Sequence, residues 1–278
     1  MGGMIIPSIT LNDGTQMPQL GFGTWKLEQD QAYTSVRRAI EVGYRHIDTA
    51  AIYGNEVEVG KAVRDAVAAG DVTRDELFIT TKLWNNQQHE PGVAFQQSLQ
   101  RLGLDYIDLY LVHWPCPKQD QFVSAFEGIA RIQGLGTVQS IGVCNFYAEV
   151  LRRIIAETGV VPAVNQIELH PGFPQLELQN LHRELGVVTQ SWSPLGQGSL
   201  IDDPVVAGIA AAHRRTPAQV ILRWHVQQDL VPLPKSGNDA RIAENFNIFD
   251  FHLTQEDMVA LTALDSGRVG PDPLEFPA

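Results

Sequence analysis

Cysteine and basic residues are scarce in this chain of 278 residues, which has 2 cysteines and 20 Lys and Arg residues against 32 Asp and Glu residues. Cys116 and Cys144 form no C-x-x-C motif, which argues against a disulfide scaffold and a structural zinc site and is typical of a reducing cytosol. The formal charge of −12 repels phosphate backbones, so general nucleic-acid binding is unfavourable. We therefore expect a cytoplasmic protein without a nucleic-acid partner.

Long apolar segments are also missing. No stretch approaches the roughly 18 apolar residues of a membrane-spanning helix, and residues 1–7 lack the basic start and apolar core of a signal peptide. With 44% hydrophobic and 19% charged residues, the chain can bury a sizeable core, which excludes intrinsic disorder. We expect no membrane partner, a monomer, and one domain over residues 1–278.

Familiar nucleotide-binding and catalytic motifs are absent. Gly21-Phe22-Gly23 is followed by Thr24 without the third glycine of the dinucleotide-binding G-x-G-x-x-G fingerprint. Neither the P-loop, nor the zinc-helix motif H-E-x-x-H, nor the hydrolase motif G-x-S-x-G occurs. These absences weaken a Rossmann, NTPase, metalloprotease or hydrolase interpretation, and we expect no metal.

Short apolar, β-branched segments alternate with helical patterns along the chain. A (β/α)8 TIM barrel of the α/β class, about 250 residues long, fits this count and length, whereas a doubly wound sheet has the same periodicity and stays open as an alternative. Ile5–Leu11 and Gln16–Leu20, joined by Asn12-Asp13-Gly14, predict an N-terminal β-hairpin. The eight predicted barrel strands are Gly23–Lys26, His46–Ala50, Leu77–Lys82, Ile107–Trp114, Ser140–Val143, Ala163–Leu169, Val187–Trp192 and Leu230–Lys235.

Sequence patterns typical of helices lie between these apolar segments. Apolar spacing predicts helices over Glu56–Ala69 and Pro91–Leu102, each followed by a glycine stop signal. Helix starts are indicated at Asp30 and at Thr216, the latter with a capping-box glutamine at Gln219. Thr254 and Asp257 open the last predicted helix.

Ionisable side chains stand at the ends of three successive predicted strands. Asp48, Lys82 and His113 each follow a buried apolar run, and Tyr53 follows Asp48 by five residues. Each alone is more often structural, but the C-terminal ends of barrel strands converge on one face, where active sites lie. The four side chains are therefore expected to share one site.

The chemistry of this set is that of proton donation to a developing alkoxide. An ammonium beside Tyr53 stabilises the phenolate and is expected to lower the tyrosine pKa from about 10. Asp48 would hold Lys82 in place, and His113 would orient a carbonyl oxygen.

The same residues lie in a set of ordered motifs. On them the chain resembles the aldo-keto reductases over nearly its whole length, and within that family the bacterial 2,5-diketo-D-gluconate reductase type. The motifs are Gly21–Lys26, Gly43–Ala50, Tyr53–Glu56, Thr81–Trp84, Leu111–Pro115, Ile141–Phe146, Asn165–Glu168, Ser193–Gly196 and Leu233–Ser236.

The resemblance implies a barrel that binds NADPH in an extended form without a Rossmann domain. It further implies that Tyr53 is the general acid, that Lys82 lowers its pKa, that Asp48 anchors Lys82, and that His113 orients the substrate carbonyl. These residues form the expected catalytic set.

The resemblance also implies a cofactor-binding set. Asn145 and Gln166 would hold the nicotinamide carboxamide, Trp192 would stack on its ring, and Lys235 and Arg241 would bind the 2′-phosphate. The whole set is Thr24, Trp25, Cys144, Asn145, Gln166, Trp192, Ser193, Leu195, Gly196, Gln197, Gly198, Lys235, Ser236, Gly237, Arg241, Glu244 and Asn245.

Two positions depart from the family pattern. Cys144 stands where serine is common, and we interpret it as a small buried side chain rather than a redox sensor. Gly237-Asn238-Asp239 lacks a further basic residue that many relatives carry, so the preference for NADPH over NADH would depend heavily on Arg241.

Substrate contacts are expected at Trp25, Ile52, Trp84, His113 and Trp114, which together suggest an apolar funnel around one polar centre. The short tail after Arg268 and the compact connection after His113 predict an open pocket.

The sequence thus predicts an NADPH-dependent reductase of aldehydes, ketones or dicarbonyls, with keto-sugar acids among the candidate substrates. A non-catalytic nicotinamide-binding subunit that senses redox state is the alternative, and a barrel isomerase or aldolase with a Lys82 Schiff base is a weaker one. The partner of the protein would be the small carbonyl substrate.

Overall fold

The computed structural model describes residues 6–264 and 266–276. The strands are β1 (Ser8–Thr10), β2 (Gln16–Pro18), β3 (Phe22–Gly23), β4 (His46–Asp48), β5 (Phe78–Leu83), β6 (Ile107–Val112), β7 (Val138–Cys144), β8 (Val164–Glu168), β9 (Val188–Trp192) and β10 (Val231–Pro232). The helices are α1 (Gln29–Val42), α2 (Glu56–Ala69), α3 (Pro91–Leu102), α4 (Phe122–Gln133), α5 (Ala148–Thr158), α6 (Leu176–Leu185), α7 (Pro204–His213), α8 (Pro217–Val226), α9 (Asp239–Phe246) and α10 (Gln255–Thr262).

Strands β3 to β10 form one 8-stranded parallel sheet in which neighbours along the chain are neighbours in space. The amides of Gly21 and Gly23 donate to the carbonyl oxygens of Pro232 and Pro234 at 3.1 and 3.0 Å, which joins the first strand to the last. A side chain at Gly21 would come within 2.4 Å of Leu233, so this close approach requires glycine. The sheet is therefore closed, and the predicted barrel is confirmed over the open, doubly wound alternative.

Buried apolar side chains form two clusters, one outside the strands and one inside the barrel. The larger one lies between the barrel and its helices, and it includes Phe95, Phe126 and Trp224. The smaller one fills the barrel interior, where Met17 of the hairpin packs with Leu109 and other side chains of the strands. Antiparallel β1 and β2 therefore cover one end of the barrel. The predicted hairpin is confirmed, although its first residue, Ile5, lies outside the described residues.

Several element boundaries differ from the sequence prediction. The first barrel strand is Phe22–Gly23 rather than Gly23–Lys26, because the backbone turns at Lys26, whose φ is 61°. Helix α1 begins at Gln29, so Asp30 lies in its first turn and is not its cap. The last barrel strand is likewise only Val231–Pro232.

Other helix predictions are confirmed. Helices α2 and α3 have the predicted bounds, and Thr216 and Thr254 form capping boxes with Gln219 and Asp257. Helix α7 precedes α8, and α10 follows α9, so each adds a second helix after its barrel strand. Among the described helices, none is long and apolar enough to cross a membrane.

Candidate active site

Strand periodicity brings the candidate residues to one end of the barrel, which we call the mouth. Alternate residues of a strand face the same side, so Lys82 faces the barrel interior as Phe78 does. Lys82 lies at the C-terminal part of β5, Asp48 ends β4, and His113 directly follows β6. All three side chains are buried.

Lys82 lies at the centre of the cluster and is fully buried. Its Nζ donates to Asp48 Oδ1 at 2.6 Å, to the Thr49 carbonyl oxygen at 2.8 Å and to Tyr53 Oη at 3.4 Å. Asp48 Oδ2 accepts a hydrogen bond of 2.9 Å from Gln166 Nε2. The buried ammonium thus has three oxygen partners, as a charge without solvent requires.

A short 3-10 helix, Ala51–Tyr53, carries the tyrosine from β4 back over the mouth. Asn55 follows it and holds this connection: its side chain accepts from Thr49 Oγ1 at 2.9 Å and donates to the carbonyl oxygens of Thr24 and Leu27 at 2.9 and 2.8 Å. The Tyr53 ring lies 5.8 Å from the His113 ring, centroid to centroid. The four residues predicted as a catalytic set therefore form one cluster.

Burial and charge shift the pKa values of this cluster in different directions. Burial raises the pKa of Tyr53 to about 12, although the Lys82 ammonium acts to lower it. Burial acts to lower the pKa of Lys82, but Asp48 and Tyr53 outweigh it and the net shift is upward, so the side chain stays charged. Burial and the Lys82 charge hold the pKa of His113 well below 6.5. The predicted effect of Lys82, a lowering of the Tyr53 pKa, is therefore present, but the effect of burial is larger.

Two carboxamide side chains lie beside the cluster. Asn145 follows β7 in a left-handed conformation, φ 66°; its Nδ2 donates to the His113 carbonyl oxygen at 3.1 Å and its Oδ1 accepts from Trp192 Nε1 at 2.7 Å. Gln166 links Asp48 to Gln190, whose Oε1 is 2.9 Å from Gln166 Nε2. Sequence reasoning missed Gln190, because nothing distinguishes it from other polar residues of a strand.

Cys144 lies at the end of β7 and is buried against Gln166, with 3.9 Å between its Sγ and Oε1. Burial raises the pKa of its thiol above the usual range. A thiol that stays protonated is a poor nucleophile, which supports the interpretation of Cys144 as a small buried side chain.

Two predicted aromatic rings lie close to His113. The Trp84 ring lies 5.2 Å from the His113 ring, and the Trp114 ring lies 6.3 Å away and nearly parallel to it. Trp25 and Ile52 remain 43% and 48% exposed. The structure thus places Trp84 and Trp114 beside His113, and it leaves the other two predicted substrate contacts open to solvent.

One further ring was not predicted. Phe276 stacks on Trp114 with 4.1 Å between ring centroids, and it lies 6.3 Å from Trp84. The short tail after Arg268 predicted an open pocket. This prediction is wrong beside Trp114 and Trp84, where the Phe276 ring lies. No pattern in the sequence announces this contact, because a single phenylalanine near the C-terminus carries no periodicity.

Comparison with known proteins agrees with this architecture. Residues 19–266 match the model of the Aldo/keto reductase family. The chain belongs to this family. It is 51% identical to an aldo-keto reductase of Mycolicibacterium smegmatis over 97% of this chain and 98% of that protein. It is also 51% identical to the methylglyoxal reductase of Yersinia pestis over 97% of each chain.

A solved structure has the same fold. A variant of the protein Gox0644 in complex with NADPH superimposes with a TM-score of 0.92 and 43% identity, covering 97% of this chain and 98% of that one. The predicted family, the (β/α)8 barrel and the NADP-dependent oxidoreductase class are confirmed.

The aldo-keto reductase also has an unpaired basic site where a 2′-phosphate was predicted to bind. Lys235 and Arg241 are exposed, and none of the ion pairs of the described residues includes either of them. Asn238 caps α9 through the Arg241 amide at 3.0 Å. Cations without carboxylate partners beside a helix N-terminus fit an anionic group.

The other predicted cofactor residues of the aldo-keto reductase lie in the loop after β9, in the loop after β10 and in α9. After β9, Ser193 and Gln197 take left-handed conformations, with φ of 48° and 53°, and Gln197 is exposed with Gly198. After β10, Glu244 is only partly exposed, because its carboxylate accepts from Thr216 Oγ1 at 2.8 Å. Of the remaining residues, Gly196, Ser236 and Asn245 are buried, Leu195 is partly exposed and Gly237 is exposed.

Proposed function

We propose that this aldo-keto reductase reduces small aldehydes, ketones or dicarbonyls to alcohols with NADPH, and that Tyr53 is the proton donor. The observation that carries the proposal is the buried chain of contacts from Asp48 through Lys82 to Tyr53. Keto-sugar acids are candidate substrates on the basis of the family resemblance. The name of the Yersinia pestis relative, a methylglyoxal reductase, supports a small dicarbonyl.

The predicted cofactor-binding residues would hold NADPH along its length, and NADPH when bound supplies a hydride to the carbonyl carbon. Asn145 and Gln166 would hold the nicotinamide, and Trp192 would cover its ring. The predicted set for this end of the cofactor also includes Cys144, Thr24 and Trp25. The loop at Ser193, Leu195, Gly196, Gln197 and Gly198 would hold the pyrophosphate. The adenosine end would lie on Lys235, Ser236, Gly237, Arg241, Glu244 and Asn245.

Proton donation starts from the protonated Tyr53 hydroxyl. The substrate oxygen gains negative charge as its carbon accepts the hydride, and the Tyr53 proton moves to that oxygen and completes the alcohol. The phenolate left behind lies 3.4 Å from Lys82 Nζ, whose charge stabilises it. Asp48 keeps that charge buried in place, and the phenolate regains a proton from solvent.

His113 would position the carbonyl group before the reaction. Its ring is neutral because its pKa lies well below 6.5, so it carries one ring proton. With that proton on Nε2, the ring donates a hydrogen bond to the substrate oxygen next to Tyr53. Trp84 and Trp114 beside His113, with Trp25 and Ile52 further out, would contact the rest of the substrate.

The test is the loss of NADPH absorbance on addition of methylglyoxal to the purified protein, followed by a panel of aldehydes, ketones and keto-sugar acids ranked by kcat/KM. We expect turnover with the dicarbonyl. NADPH binding without turnover on any member of the panel would overturn the proposal and favour a non-catalytic nicotinamide-binding role. Trapping of a Lys82 adduct by borohydride would instead favour Schiff-base chemistry.

A further inference from the structure

A buried glutamine of β9, Gln190, lies in the barrel interior beside the proposed site and takes no part in the reaction described above. It is fully buried, and in the parallel register of the sheet it stands opposite Gln166 of β8. Its Oε1 accepts from Gln166 Nε2 at 2.9 Å, and its own Nε2 donates to the Met17 sulfur at 3.0 Å. Gln190 therefore connects the hairpin at one end of the barrel with the residues of the mouth.

The amide group of Gln166 uses both of its hydrogen atoms inside the protein. Its Nε2 donates to Asp48 Oδ2 and to Gln190 Oε1, both at 2.9 Å. Asp48 is the ion-pair partner of Lys82, and an ionised carboxylate can only accept hydrogen bonds. The nitrogen of the Gln166 amide, and not its oxygen, must therefore face Asp48, and Gln190 presents a second acceptor to the same nitrogen.

The other atom of this amide, Gln166 Oε1, has only a weak donor near it. Among the hydrogen bonds of the described residues, its contact is with Cys144 Sγ at 3.9 Å, and a thiol is a weak donor. The same sulfur lies 3.2 Å from Asn145 Nδ2, so Oε1 is directed toward the second carboxamide of the site. A carbonyl oxygen has two lone pairs, and this one can accept a hydrogen bond from an amide of a bound ligand.

We propose that Gln190 is a positioning residue for the nicotinamide end of the cofactor. Together with Asp48 it holds Gln166 Nε2, and it thereby presents Gln166 Oε1 to the amide nitrogen of the nicotinamide carboxamide. Gln190 acts only through Gln166. This inference rests on the proposed function, because it takes Gln166 as a residue that holds the nicotinamide.

Loss of the acceptor at Gln190 would change the position of Gln166. One hydrogen of Gln166 Nε2 would then have no partner in the barrel interior, and a buried polar group without a partner is unfavourable. Asp48 alone would hold the amide by a single hydrogen bond, so the amide plane could turn toward another acceptor. Gln166 Oε1 would turn with it and leave the position in which it meets the cofactor.

The first experiment compares two cofactors that differ only at the carboxamide. NADP⁺ carries an amide there, and its acetylpyridine analogue carries a methyl ketone, which keeps the carbonyl oxygen and lacks the amide hydrogens. Isothermal titration calorimetry gives the dissociation constant of each, and the ratio of the two constants is compared between variants. We expect the wild type to bind NADP⁺ severalfold more tightly than the analogue, on the scale of one hydrogen bond.

Two substitutions of Gln190 separate positioning from packing. Gln190→Leu removes the acceptor and should bring the ratio close to one, mainly through weaker binding of NADP⁺. Gln190→Glu keeps an oxygen that accepts from Gln166 Nε2, so it should retain the wild-type ratio. The matched control is Gln179→Leu, which removes another buried glutamine amide, one that donates to the Pro174 carbonyl oxygen away from the site. The control should also retain the ratio.

The outcomes distinguish this inference from the proposed function. An unchanged ratio in a folded Gln190→Leu protein, or equal losses of affinity for both cofactors, would overturn the positioning role of Gln190. Absence of methylglyoxal reduction in the wild type would overturn the proposed function, while the binding ratios would still test Gln190. If Gln190→Leu does not fold, Gln190→Met keeps the length of the side chain and has only a weak sulfur acceptor, and the same fall in the ratio is expected.

Discussion

At the scale of single residues, the buried ammonium of Lys82 accounts for the arrangement of the site. An unpaired charge in the interior costs several kcal/mol, and Asp48 and the Thr49 carbonyl oxygen offset that cost at 2.6 and 2.8 Å. The positions of Asp48 and Lys82 near the ends of neighbouring strands follow from the sequence. The remaining contact of Lys82, to Tyr53 at 3.4 Å, is the longest of the three and is the one on which the proposed reaction depends.

Replacement of Tyr53 by phenylalanine tests that contact. The Tyr53→Phe variant keeps the ring and loses the proton donor, so kcat for methylglyoxal should fall by at least about a hundredfold, the usual scale of general acid catalysis. The dissociation constant of NADPH, measured by fluorescence titration, should barely change. Lys82→Met should be similarly damaging, and the double variant no worse, because both changes affect one proton transfer. Near-normal turnover in Tyr53→Phe would contradict the assignment.

The pH dependence tests the protonation states. His113 has a pKa well below 6.5 and the pKa of Tyr53 is about 12, so neither group titrates near neutrality. The ring is neutral above its lowered pKa, and the hydroxyl keeps its proton below its raised one. We expect kcat/KM for reduction to be flat between about pH 6 and pH 8. A histidine inflection in this range that disappears in His113→Gln would contradict the buried neutral ring.

The positions of site residues were predictable where strand ends determined them. The pKa values of these residues were not fully predictable. Asp48, Lys82 and His113 come together because each lies at or next to the C-terminal end of a parallel strand. The lowering effect of Lys82 on the Tyr53 pKa was predictable, but the larger effect of burial was not, since the depth of the ring is a property of the whole fold. Phe276 and Gln190 contact the site over long sequence distances without any local pattern.

At the scale of elements, the bounds of two helices were predicted more accurately than those of the first and last barrel strands. The bounds of α2 and α3 follow from apolar spacing and a terminal glycine, which are local signals. Strand ends depend on hydrogen bonds to neighbouring strands, so β3 and β10 stop earlier than their apolar runs. The distance between two packed helices also depends on residues that are far apart in the sequence. A Cβ atom at Gly60 of α2 would lie 2.0 Å from the Leu102 carbonyl oxygen of α3.

A pair of glycine substitutions tests this packing. Gly60→Ala should lower the free energy of unfolding by about 1 to 3 kcal/mol, the usual cost of overpacking. Gly208→Ala, in the exposed interior of α7 with no atom within 4 Å of the new Cβ, should raise it by up to about 1 kcal/mol, because alanine favours a helix. Urea unfolding followed by circular dichroism measures both. Equal effects of the two changes would mean that α2 and α3 do not pack this closely.

At the scale of the whole molecule, closure of the barrel was predictable and the course of its C-terminal segment, residues 266–276, was not. Eight apolar segments separated by helices indicate the barrel, and the glycines at its seam allow the first and last strands to meet. The segment after Arg268 has neither periodicity nor caps. Its position depends on contacts with residues far away in the sequence: the Val269 and Gly270 amides donate to the Glu168 carboxylate, and the Phe276 ring stacks on Trp114.

Charge is the other property that belongs to the whole molecule. The formal charge of −12 repels an anionic cofactor at long range. Most other arginines are in ion pairs or bonded to carbonyl groups, such as Arg101 with Glu56 and Arg45 with the Ile40 carbonyl oxygen. Lys235 and Arg241 are both exposed and lie outside the ion pairs of the described residues, so local attraction at this site must overcome the general repulsion.

Arg241→Ala therefore tests the preference for NADPH over NADH. A hydrogen bond to a charged group is worth about 1.5 to 3 kcal/mol, so the NADPH dissociation constant should rise roughly tenfold to a hundredfold, while that of NADH should hardly change. The loss should shrink as salt is raised, because ions screen an exposed contact. Titration of both cofactors at two salt concentrations measures it, with Arg152→Ala, another exposed arginine, as the control for net charge. An equal loss for both cofactors would mean that Arg241 supports the loop and does not contact the phosphate, and an equal loss in Arg152→Ala would attribute the effect to the overall charge.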